Sequence, residues 1–151
     1  MSALFAYVHS LSMIGLGALL FVQLLDFERL HERQQLHRFF VFCSGIAVAA
    51  FIMLVSGLAL LLWSSQPSEF YFRNPVFYIK LAVFTAMMLV AITPGRLIVQ
   101  WYRQSVTGTF PEPAAIAFVK RYFVIEATLF LLLPLAASIA ALGIGLQASP
   151  S

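Results

Sequence analysis

Four polar places interrupt the long apolar runs of this chain: His9, Lys80, Glu126, and a cluster around Asp26 and His37. Ionisable groups in hydrocarbon are costly unless paired or hydrated, so each is a functional candidate by default. A neutral imidazole can ligate haem iron or shuttle protons. A lysine in apolar surroundings can pair with an anionic group such as a porphyrin propionate, or snorkel to the surface. Met13 lies one turn from His9 on the same helical face, and Tyr78 shares the layer of Lys80, so both join the candidate pocket. Glu126 fits either an ion pair with Arg38, Arg121 or a loop arginine, locking the fourth span to the first hairpin, or proton handling; Asp26 belongs with it.

The elements that position these groups follow from composition. Of 151 residues 62% are hydrophobic and 10% are charged, against about a quarter charged in soluble domains. The apolar residues fall in blocks of about 20, the length that crosses roughly 30 Å of hydrocarbon. The expected spans are 3–25, 39–63, 75–93 and 122–146, giving an all-α integral membrane four-helix bundle in a single domain, 1–151. Pro94-Gly95 is expected to bend or break the third helix, which then continues to Trp101 along the interface. The longest loop is expected from Arg103 to Lys120, around Gly108 and Pro111-Glu112-Pro113. The N-terminal apolar run lacks a basic leader and is read as a span.

Lysine and arginine set the orientation. Arg29, Arg33 and Arg38 lie between spans one and two, and Arg96, Arg103, Lys120 and Arg121 between three and four; the opposite side has Arg73. This positive-inside bias puts both termini on the outer (periplasmic) side; in a Gram-negative cell the membrane expected is the cytoplasmic (inner) one, because the outer membrane uses β-barrels rather than helices. The charge of +3 is therefore an orientation signal, and nucleic acid is not an expected partner. Small residues at Gly15 and Gly17, Gly45 and Ala49, and Ala137, Ala141 and Gly145 suit close helix packing.

Depth sorts the polar groups into two layers. His9 lies about six residues, roughly 9 Å, into the first span. Lys80 enters the third span from the same side, so the two share an outer layer. Glu126 belongs with Gln23, Asp26 and His37 in an inner layer, which makes a Lys80–Glu126 salt bridge geometrically unfavourable. His31 and His37 are six residues apart and miss the i,i+4 spacing of a helical metal site; their segment reads as a solvated amphipathic connector. Cys43 is the single cysteine, so an intrachain disulfide is excluded. P-loop, dinucleotide, HExxH and CxxC patterns are missing, as is a bis-histidine pair within one span.

The stretch Asn74-Pro-Val-Phe-Tyr-Ile-Lys80-Leu-Ala-Val-Phe84, with Pro94, Trp101-Tyr-Arg103, Glu126, Pro134 and Gly143-Ile-Gly145, resembles a family of small bacterial four-span proteins catalogued as a domain of unknown function. The first span, with His9 and Ile14-Gly15, is also similar to the opening helix of HemJ-type protoporphyrinogen oxidases and CopD-like proteins. Lys80-Leu81 is similar to a His-x-Lys-Leu region of the HemJ group, with Tyr78 standing at the histidine. That resemblance implies haem b as cofactor, His9 as its axial ligand and Lys80 as porphyrin partner and catalytic residue.

Three functions are therefore expected in competition. One is a haem- or porphyrin-binding membrane redox protein, an oxidoreductase. A second is a non-catalytic subunit or assembly factor of a larger membrane complex, or a homo-oligomer. The third is a small transporter or copper-handling protein, although Met13, Met53, Met87 and Met88 form no soft-metal relay.

Overall fold

In each helix most buried positions are three, four or seven residues apart, the stripe by which one helical face meets its neighbours. In the first helix the stripe is Leu16, Leu20 and Gln23, continued by Phe27 in the turn that follows; in the last it is Ile116, Val119, Phe123, Glu126 and Leu133. The other faces are apolar as well but exposed, with Leu11, Phe21, Phe51, Leu89 and Leu131 turned outward. A helix apolar all round suits a lipid solvent, where the backbone must satisfy its own hydrogen bonds.

The computed structural model describes residues 2–30, 32–63, 72 and 74–141. They form α1 (Ser2–Leu25), α2 (Arg33–Trp63), α3 (Pro75–Gln104) and α4 (Pro113–Ala141), with short 3-10 turns at Asp26–Arg29 and Ser105–Thr107. There is no strand among the described residues. All four helices are long and apolar enough to cross a membrane, so the all-α four-span expectation holds. α1 packs chiefly on α2 and α3 chiefly on α4, with sparser contacts between the two hairpins. The hairpins thus meet along a seam. One end of the bundle carries the N-terminus of α1, Trp63 and Asn74; the other carries the basic side chains Arg38, Arg96, Lys120 and Arg121. These are called the terminal end and the basic end below.

Three boundaries differ from expectation. α2 begins at Arg33, six residues before Phe39, because Leu36 is fully buried and continues the apolar stripe past the charges. The connector is therefore partly helix. α3 runs unbroken through Pro94 to Gln104; Pro94 sits on its buried stripe, where neighbouring helices support the turn that lost a hydrogen bond. α4 begins at Pro113, nine residues before Tyr122. Proline is favoured at a first helical position, and Ile116 and Val119 already bury themselves below the Lys120-Arg121 pair. The expected long loop shrinks to a turn around Gly108, whose positive φ of 79° closes the end of α3. At roughly 1.5 Å per residue, α2, α3 and α4 each exceed the hydrocarbon thickness, and their extra turns lie towards the basic end.

The small residues divide by use. A Cβ added at Gly17 would lie 2.7 Å from a ring carbon of Phe130, so α1 and α4 approach closely there. Gly45 makes room for Leu19 between α1 and α2, whereas Gly15 has nothing within 4 Å. Gly145, like residues 142–146 of the expected fourth span, lies outside the described residues.

Candidate functional site: a seam cavity between His9 and Lys80

The sequence Asn74-Pro75 starts α3. The Asn74 side chain accepts a hydrogen bond from the Val76 backbone N–H at 2.9 Å, and Pro75 takes the first helical position. From that fixed start Phe77, Lys80 and Phe84 follow at steps of three and four along one face. All three line a cavity of about 440 Å³ in the seam near the terminal end. α1 contributes His9, Ser10 and Met13, α2 contributes Met53 and Gly57 among others, and α4 contributes Leu133 and Ala137. The volume falls within the range of small-molecule sites, about 300–1,000 Å³, and the wall is mostly apolar.

His9 is held by α2. Its Nδ1 lies 3.0 Å from the Met53 carbonyl oxygen and 3.2 Å from Ser56 Oγ. The Ser56 hydroxyl donates its own proton to the Ile52 carbonyl at 2.7 Å. A carbonyl accepts only, so the ring proton must sit on Nδ1, donating to both oxygens. Nε2 then carries the lone pair, with no hydrogen-bond partner among the described residues. This is the tautomer that metal-ligating histidines adopt when a carbonyl orients them. Gly57 makes the posture sterically allowed: a Cβ there would stand 3.2 Å from His9 Cε1.

Lys80 is half-buried in the cavity wall and makes no salt bridge among the described residues. Its separation from Glu126 agrees with the layered reading, because Lys80 shares the cavity with Leu133 and Ala137, two to three turns further along α4. Met13 also lines the cavity. Tyr78 does not: two residues from Lys80 it turns to another face, is 51% exposed, and packs edge-on against Phe77. The expectation that it borders the pocket is corrected by that helical geometry.

At the basic end Asp26 and Arg38 form a salt bridge of 3.5 Å. Arg38 is thus engaged away from Glu126, which is 2% exposed and makes no ion pair among the described residues. The expected Glu126–Arg38 or Glu126–Arg121 lock is replaced by burial of the carboxyl on the core stripe of α4. His37 is exposed and rests its ring on Tyr102; His31 lies outside the described residues. Among the described residues there is no group of three or more His, Cys, Asp or Glu that could hold a bare metal ion.

Sequence reasoning passed over Met53, Ser56 and Gly57, which orient His9. Their signal is the α2 stripe itself: Met53 continues Ile46 and Ala50, and Ser56 and Gly57 fall at its next step. A serine-glycine step on a core stripe marks where a neighbour inserts something bulky.

Residues 1–145 match the family described as Predicted membrane protein (DUF2214), and the chain belongs to that family. No curated protein matches, so no link to HemJ-type or CopD-like proteins emerges, and no solved structure matches either.

Proposed function

We propose that this family member holds a haem or porphyrin within the membrane, in the seam cavity, as a haem b-type redox protein. The observation that carries the reading is the pairing of an oriented imidazole and an unpaired ammonium on one apolar cavity. His9 Nε2 would hold the iron, its direction set by the Met53 carbonyl and Ser56. Lys80 would neutralise a propionate, and Met13 with Phe77 and Phe84 would supply apolar contact to the macrocycle. Bound haem would bring one-electron chemistry; the protein side excludes water and fixes the ligand. Positive-inside counting puts the cavity in the periplasmic half of a bacterial inner membrane.

The test is the absorption spectrum of the chain purified from haem-replete cells. A Soret band is expected that is lost in His9→Ala and weakened in Lys80→Met. A colourless protein that also fails to take up added haem, or a band unchanged in His9→Ala, overturns the reading.

A further inference from the structure

A second polar centre lies in the core towards the basic end, clear of the cavity. Gln23 is fully buried; its Nε2 donates to Cys43 Sγ across the α1–α2 contact, and its Oε1 has no hydrogen-bond partner. Glu126 of α4 is 2% exposed and lies within electrostatic range of Cys43. The helix register agrees. Gly17 of α1 faces Phe130 of α4. From there, six residues forward to Gln23 and four back to Glu126 travel the same way along antiparallel helices, about 9 and 6 Å.

Two buried acceptors therefore share a level without a donor between them. An ionised carboxylate buried without a counter-charge is prohibitively costly, and a buried amide oxygen without a donor adds to the cost. One proton on the carboxyl removes the charge and creates the missing O–H donor. We propose that Glu126, Gln23 and Cys43 form a proton-binding site in which Glu126 is held as the neutral acid and donates its O–H to the Gln23 side-chain oxygen.

The surroundings leave the proton without a competitor among the described residues. Beyond Gln23 the next titratable group is Asp26, in the turn that follows α1, paired with Arg38 of α2. On α2 it is Cys43 itself. α3 has no titratable side chain between Lys80 and Arg96, and α4 has none from 127 to 141; Tyr122 and Arg121 precede Glu126, and Arg121 is exposed. The partly exposed Asp26–Arg38 pair lies between Gln23 and the basic end. This site is independent of the cavity reading.

Infrared spectroscopy of the full chain in lipid vesicles at pH 7 tests it. A carboxylic-acid carbonyl band is expected that shifts in heavy water, persists in Asp26→Asn and disappears in Glu126→Gln. Its absence from the wild-type protein, or its survival in Glu126→Gln, overturns the proposal. Should Glu126→Gln fail to fold, Gln23→Leu decides: the band is expected to move to a new frequency, and an unmoved band overturns the hydrogen bond.

Discussion

The terminal half and the basic half of the bundle both bury polar side chains on the same core stripes, yet they do so in opposite ways. Around His9 the polar group is satisfied on one side by α2 and opens on the other into a cavity. Around Glu126 no cavity opens among the described residues: Gln23 donates to Cys43, the carboxyl is buried on the core stripe of α4, and Phe27, Phe39 and Phe123 form an aromatic cluster towards the basic end. Polarity with a void offers a place for something from outside. Polarity without one has only itself, and a proton, to complete its hydrogen bonds. Residue type does not distinguish these cases; the presence of space beside the residue does.

The comparison can be broken at three points. The largest effect is expected from Gly57→Val. Its first added carbon would already stand 3.2 Å from His9 Cε1, and the two methyls beyond it displace the ring. Haem affinity, read by titration of the Soret band, should fall at least about tenfold, or ~1.4 kcal/mol. The infrared signature of Glu126 should stay. An effect on both would mean that the two halves are one site.

Gly17→Val probes the packing that separates the centres. Its first added carbon would meet Phe130 at 2.7 Å, so overpacking should lower stability by about 1–3 kcal/mol in detergent unfolding. Gly15→Val, with open space around it, should change bundle stability little. Equal losses would contradict the α1–α4 register on which the basic-end cluster rests. The smallest effect belongs to Arg38→Ala. Its side chain is 58% exposed, so breaking the pair with Asp26 should cost less than about 1 kcal/mol and less still in high salt. Neither spectral band should be lost.

Four spans and two polar layers were legible because both depend on composition and on the fixed rise of a helix. Helix ends were less legible, since Lys120-Arg121 and Arg33–Arg38 look like boundaries to a count of charges while Val119 and Leu36 continue the buried stripe beneath them. Pro94 misled for a related reason: the lost hydrogen bond is local, and the packing that tolerates it is not. At the site, His9 and Lys80 could be grouped by depth, and Met13 by its four-residue step from His9 on one helical face. Tyr78 could not, because depth ignores rotation about the helix axis, and a two-residue step turns a side chain by more than half a circle. Gln23 with Cys43 needed the register of α1 against α2, which apolar segments of similar composition do not reveal.

The seam between the hairpins has a consequence for assembly. Each hairpin has most of its partners within itself, so each can settle in the bilayer as a pair before the two meet. The last event of folding is then the docking of α1–α2 onto α3–α4, and it is that event which creates the His9–Lys80 cavity. A ligand lodged there touches both halves and acts as a clasp, so loading and final assembly are expected to be the same step in the life of the protein.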